Sequence, residues 1–129
     1  MIRVMDKTGE CGFSLLEMLI AMTILAIGLL GMATLLIAAI RGNAFGIRNT
    51  EATALIEDKI EEFKNTPYED ISPGTETESD LGLGGIFTRK TTVEDNTPGA
   101  DMKTITVEVS WTDYTTHTFS FRTIISKDG

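Results

Sequence analysis

Residues 12–20 read Gly12-Phe13-Ser14-Leu15-Leu16-Glu17-Met18-Leu19-Ile20, and they open the stretch that decides the fold. Behind them, residues 18–40 form a run of 23 residues with no charge and no proline. At about 1.5 Å per residue this run makes about 34 Å of helix, enough to cross a hydrocarbon layer of about 30 Å. The sequence therefore predicts one transmembrane helix near the start of the chain.

Glu17 is the one ionisable residue between positions 13 and 40. A carboxylate near the end of a membrane helix costs about 1–3 kcal/mol, depending on its depth. Ser14 and Glu17 fit a capping box, in which each side chain satisfies a free backbone N–H group of the other residue. Alternatively, Glu17 is held for a cation supplied by another subunit. The residues alone leave both interpretations open.

The same stretch resembles the processing site of the type IV pilin superfamily. That motif has a short hydrophilic leader, a glycine, a phenylalanine and a glutamate four residues later, followed at once by an apolar helix. Gly12, Phe13 and Glu17 match these positions in order. Residues 24–31, Ile-Leu-Ala-Ile-Gly-Leu-Leu-Gly, further resemble the minor pilins called type IV pilus modification proteins (PilV-type).

The resemblance implies a set of roles and partners. A prepilin peptidase of the bacterial inner membrane would cut between Gly12 and Phe13 and N-methylate Phe13. Glu17 would pair with the N-terminal amine of a neighbouring subunit's Phe13 as subunits stack. The partners implied are this peptidase, the inner membrane, and other major and minor pilins in a filament.

The chain after the membrane run is expected to continue the same helix, from Ser14 to Lys64. Thr66-Pro67 supplies a stop because the residue before proline avoids helical geometry. Acidic residues fall on one side of this second half, and six apolar residues recur on the other at helical spacing: Phe45, Ala52, Leu55, Ile56, Ile60 and Phe63. We therefore expect a leader at 1–12, a transmembrane half-helix at 13–40, an amphipathic half-helix at 41–65, and the rest of a globular domain at 66–129.

The remainder predicts an antiparallel sheet of about three strands. Residues 66–85 read as a loop, whereas residues 86–94, 103–112 and 115–126 alternate in the period of a strand. A sheet with one apolar face needs a cover, and the stripe on the second half of the helix is the cover available. Trp111 is expected to anchor that core. The predicted fold is α+β and pilin-like.

The composition argues against several functions. The formal net charge of −8 disfavours nucleic acid as a partner. The single cysteine, Cys11, lies in the predicted leader, so the mature chain would have no disulfide. His117 is expected on the solvent face of the last strand. Without a phosphate loop, metal-ligand cluster or nucleophile elbow, we expect no enzyme, no cofactor and no metal. For the acidic stretch at 75–80, solvated surface is preferred to calcium binding.

These features predict a structural protein, a minor type IV pilin of PilV type. It would be held in the inner membrane by a single pass, with a periplasmic globular domain, and would enter or prime a pilus after cleavage. The runner-up is a minor pseudopilin of a type II secretion system. A third possibility is an uncleaved, membrane-anchored periplasmic binding domain.

Overall fold

The computed structural model describes residues 12–128, so the expectations for the leader before Gly12, including Cys11, lie outside the described residues. The elements in chain order are α1 (Leu15–Lys64), a 3₁₀ turn (Tyr68–Asp70), β1 (Gly74–Leu81), a 3₁₀ turn (Leu83–Gly85), β2 (Phe87–Asp95), β3 (Met102–Thr112) and β4 (Thr116–Ser126). The predicted long helix is confirmed, beginning one residue later than expected and ending at the expected residue.

The chain divides into two compact units, one up to Asn43 and the other from Ala44 onward. In the first unit, every described residue is exposed, although most side chains of α1 there are apolar. By length and composition, α1 is the one helix of the described residues that is long and apolar enough to cross a membrane. The run at 18–40 has no polar face, as expected of a helix that is surrounded by lipid on all sides.

The second unit contains the rest of α1 and an antiparallel sheet in the order β1-β2-β3-β4. Each strand pairs with the next one along the chain, so that β1 and β4 are the two edges. Thr88 lies opposite Ser110, and Trp111 lies opposite His117. Because side chains alternate along a strand, this register puts the odd-numbered residues of β2, β3 and β4 on one face of the sheet.

The core lies between that face and the second half of α1. The helix contributes Ala52, Ile56 and Ile60, all buried, while Leu55 and Phe63 pack at the margin. The sheet and the preceding loop contribute seven buried apolar residues: Ile71, Phe87, Val93, Ile105, Val107, Val109 and Trp111. The predicted stripe thus covers the sheet, and the predicted α+β, pilin-like fold is confirmed.

The number of strands requires a correction, because four are present where about three were expected. The additional strand, β1, falls within residues 66–85, which were predicted to be a loop. Its inward positions carry Glu76 and Glu78 instead of apolar side chains. The sequence of this strand alternates threonine with acidic residues, so it lacks the apolar face by which a strand is predicted. The carboxylates are satisfied in the fold by Lys59 and Arg89, which are nearly buried.

Candidate functional site

The side chain of Ser14 caps the start of α1. Ser14 precedes the first helical residue, and its Oγ accepts a hydrogen bond of 3.2 Å from the backbone N–H of Glu17. This bond satisfies one of the free N–H groups at the helix start. It is one half of the expected capping box, and it leaves the Glu17 carboxylate available for another interaction.

The side chains around this cap are exposed. Phe13 is 76% exposed, and no described residue of the chain bonds the Glu17 carboxylate. A Cβ added at Gly12 would meet nothing within 4 Å. Packing among the described residues therefore does not require glycine at position 12.

A second polar cluster lies where α1 meets the β3–β4 turn. Arg48 Nη1 donates to Asp113 Oδ2 at 2.7 Å, and His117 Nε2 lies 3.1 Å from Asp113 Oδ1. The backbone N–H groups of Thr115 and Tyr114 also donate to Asp113 Oδ1. The Thr115 N–H bond is the main cause that lowers the pKa of Asp113 to about 2, with the Tyr114 and His117 contacts adding to it against partial desolvation.

The position predicted for His117 was wrong. Its ring stacks on Trp111 with 5.0 Å between centroids and 24° between planes, so it lies on the helix side of β4. The alternation that puts Phe119 on this face puts His117 there as well. The ring of Phe45, whose centroid is 5.1 Å from that of His117, adds a second aromatic contact, and the imidazole is half-buried.

This cluster does not have the geometry of a catalytic relay. Thr115 Oγ1 and Asp113 Oδ1 both approach the same nitrogen of His117, Nε2, at 3.2 and 3.1 Å. A hydroxyl–imidazole–carboxylate relay uses the two ring nitrogens separately, one for the nucleophile and one for the acid. The arrangement instead joins the β3–β4 turn to α1 through Arg48.

Two nearly buried lysines hold other parts of the second unit. Lys59 Nζ lies 3.0 Å from Glu62 and 3.3 Å from Glu76, which connects α1 to β1. Burial lowers the pKa of Lys59, but the hydrogen bonds and charges of its glutamate partners outweigh burial and raise it above the usual value. Lys103 Nζ donates to the carbonyl oxygens of Tyr68 and Ile71 and fixes the loop after the helix.

A groove of about 820 Å³ lies between α1 and the edge strand β4. Ile56, Ile60 and Phe119 form its apolar floor, and Glu57 and Glu61 stand on its helix side. Its lining offers carboxylates without histidine or cysteine. Within residues 12–128, no group of three or more His, Cys, Asp or Glu side chains is placed to hold a metal ion.

Comparison with known proteins bears on the N-terminal part of the chain. Residues 7–33 match the family model described as the prokaryotic N-terminal methylation motif. The match includes Gly12, Phe13 and Glu17 and supports a place for the chain in the type IV pilin superfamily. The search of curated proteins and the search of solved structures each gave no match.

The family model and the fold thus agree at a coarse level. A methylation motif followed by an apolar helix, joined to an α+β domain, fits a membrane-anchored subunit of the pilin and pseudopilin class. Sequence reasoning found the residues of the motif but missed β1 and the Asp113 cluster. The alternation of odd-numbered residues in β4 indicates the face on which His117 lies but not its contact with Asp113.

Proposed function

We propose that this chain is a minor type IV pilin of PilV type, a structural subunit without catalytic activity. The observation that carries the proposal is the Gly12-Phe13 pair with Glu17 four residues later, set at the start of an uninterrupted apolar helix. The methylation-motif match over residues 7–33 supports it. The resemblance of residues 24–31 to PilV-type minor pilins favours a pilus over a secretion pseudopilus.

The proposed maturation begins with a prepilin peptidase, which cuts between Gly12 and Phe13 and N-methylates Phe13. Three features support this step. Gly12 has no packing reason to be glycine, the Phe13 side chain is exposed, and α1 begins only at Leu15. Cleavage there removes the polar leader, residues 1–12, and leaves the apolar helix on the mature subunit.

The proposed role of Glu17 is to pair with the N-terminal amine of a neighbouring Phe13. A carboxylate without a partner is unfavourable in an apolar filament core, whereas a paired carboxylate is tolerated. The cap at Ser14 engages the backbone of Glu17 and not its carboxylate, so pairing requires no loss of the cap.

The proposed location follows from the apolar run. Residues 13–40 span the inner membrane once, residues 41–65 continue the helix outside it, and residues 66–129 complete a periplasmic domain. Other major and minor pilins are then the partners, and the subunit enters or primes a pilus after cleavage.

Incorporation of a Glu17→Ala variant into filaments tests this proposal. The variant is expected to be inserted and processed like the wild type but to be lost from pili sheared from the native host. Glu57→Ala, which removes an exposed glutamate from the second half of α1, is the matched control and should be incorporated normally.

Wild-type incorporation of Glu17→Ala contradicts the assembly role. If deletion of the gene leaves surface pili intact but stops export by a type II secretion system, the chain is a pseudopilin. An uncleaved chain in the native host identifies a membrane-anchored binding domain instead.

A further inference from the structure

The turns β1–β2 and β3–β4 lie at the end of the second unit where α1 enters it. The backbone N–H of Leu83, in the first turn, donates to the carboxylate of Glu51 on α1. Asp113, in the second turn, is bound by Arg48. A Cβ at Gly82 would lie 2.6 Å from the Phe87 ring and 2.7 Å from Glu51 Oε1, so the first turn is packed closely against the helix.

This end of the unit is unusually apolar at its surface. From Leu81 to Phe87 the chain carries no polar side chain, although turns are normally polar. Leu83 is 83% exposed and Tyr114 is 85% exposed. Among the described residues from 44 onward, eight large hydrophobic side chains are exposed, and five of them are at this end: Phe45, Ile47, Leu83, Ile86 and Tyr114.

The tips of the two turns are well placed to touch one flat surface together. The centres of the β1–β2 and β3–β4 hairpins are two strand spacings apart in the sheet, which is about 10 Å. Leucine and tyrosine at such tips are the side chains that favour the boundary between headgroups and acyl chains, where tyrosine keeps its hydroxyl in the polar layer.

Several polar groups near the tips are paired within the fold. Arg48 and His117 both contact Asp113, and the Glu51 carboxylate accepts the Leu83 N–H. Asp80, at the end of β1, is the exposed carboxylate of this region. This composition favours contact with a bilayer through the apolar tips.

Along the chain, the second unit begins shortly after the proposed membrane segment ends. The uncharged run ends at residue 40, and Phe45 follows five residues later, which is about 7.5 Å of helix. We propose that Leu83 and Tyr114 form a lipid-contacting surface that touches the headgroup region of the bilayer while the subunit is in the membrane. This inference rests on the part of the proposed function that puts residues 13–40 in the membrane.

Tryptophan fluorescence of the full chain in phosphatidylcholine vesicles tests this surface, with lipids brominated near the headgroup end of their acyl chains as quenchers. The probes are Leu83→Trp and Tyr114→Trp, and the native Trp111, which is buried, sets the baseline. Ala100→Trp, an exposed site in the turn between β2 and β3 at the opposite end of the sheet, is the matched control. Leu29→Trp reports whether the apolar run is in the bilayer.

Loss of fluorescence is expected for Leu29→Trp, Leu83→Trp and Tyr114→Trp, with Ala100→Trp remaining at the baseline. Added salt should leave the loss at the tips unchanged, because the contact is apolar. Adding Leu83→Asp to the Tyr114→Trp chain should reduce its quenching, whereas Met102→Asp, at the opposite end, should not.

Quenching of Leu29→Trp without quenching at either tip overturns the lipid contact and leaves the anchor intact. If Leu29→Trp itself is not quenched, the membrane placement fails, and the inference fails with it. Tips that stay unquenched in vesicles but become shielded from a soluble quencher in filaments identify a neighbouring subunit as the occupant and also overturn the proposal.

Discussion

The two halves of α1 use apolar residues in opposite ways. Up to Asn43 every described side chain is exposed, and the apolar residues surround the helix axis. From Ala44 onward most of the large apolar residues form one stripe, and Ala52, Ile56 and Ile60 of that stripe are buried against the sheet. One continuous helix is thus adapted to two different surroundings.

The difference shows what decides whether an apolar residue of α1 is buried within the fold or left exposed. The second half has a sheet to cover its stripe, and its opposite face carries acids that keep it in water. The first half has neither a covering element among the described residues nor a polar face. Under the proposed function, lipid covers this half in the membrane, and the helices of neighbouring subunits cover it in a filament.

Trp111→Ala should be the most damaging single change to the covered half. The indole is 2% exposed and packs against Phe87, with 5.5 Å between ring centroids, and under His117. Its removal should lower the free energy of unfolding by about 3–5 kcal/mol. Urea denaturation of the full chain in detergent micelles measures this. The control Leu83→Ala, at an exposed side chain, should stay within about 0.5 kcal/mol of the wild type.

Ile27→Arg tests whether the first half of α1 holds the chain in the membrane. An arginine near the centre of the apolar run should disfavour insertion by about 3 kcal/mol. Extraction of membranes at alkaline pH measures the fraction that remains inserted. Ala54→Arg, on the exposed face of the second half, should be retained like the wild type. Equal retention of both variants would mean that the apolar run does not hold the chain in the membrane.

Lys59→Met tests whether ion pairs join the second half of α1 to β1. Methionine keeps the packing beside Phe63 but loses the ion pairs with Glu62, Glu76 and Glu78. We expect a loss of about 1–2 kcal/mol in the free energy of unfolding. Lys64→Met, at the exposed end of α1, should be near neutral. If both variants unfold alike, the Lys59 pairs are not what fixes β1.

Asp113→Asn should have the smallest effect and a defined pH dependence. The folded-state pKa of Asp113 is lowered to about 2 from its usual 3.8, so its carboxylate stabilises the fold above about pH 4. That stabilisation is lost as the pH falls towards 2. Because the amide cannot titrate, the substitution should make unfolding less sensitive to acid. An unchanged acid profile in thermal denaturation would show that the Arg48 and turn contacts do not depend on this charge.

Much of the fold was predictable because its signals are local. The run at 18–40 and the stripe that follows define α1, and the alternation in β3 gives a strand with Ile105, Val107 and Val109 on one face. The strand β1 was not predictable in this way. Its inward residues are acids, and their partners Lys59 and Arg89 lie on the neighbouring elements α1 and β2, so only the folded chain shows why a polar segment is ordered there.

The candidate site was also predictable only in part from the sequence. Gly12, Phe13 and Glu17 were identified from a resemblance, and the fold adds only the cap at Ser14. The partner proposed for the Glu17 carboxylate, the N-terminal amine of a neighbouring Phe13, belongs to an assembly of several chains. The Asp113 cluster was missed because it depends on the register of β3 with β4 and on the packing of Arg48 against the turn.

The most direct test of the central claim is the mass of the N-terminal peptide of the chain isolated from its native host. The account predicts a mature chain that begins at Phe13 and carries one methyl group on its amine. An intact chain that still begins at Met1 would contradict it, because Glu17 would then have no processed N-terminal amine of Phe13 to meet.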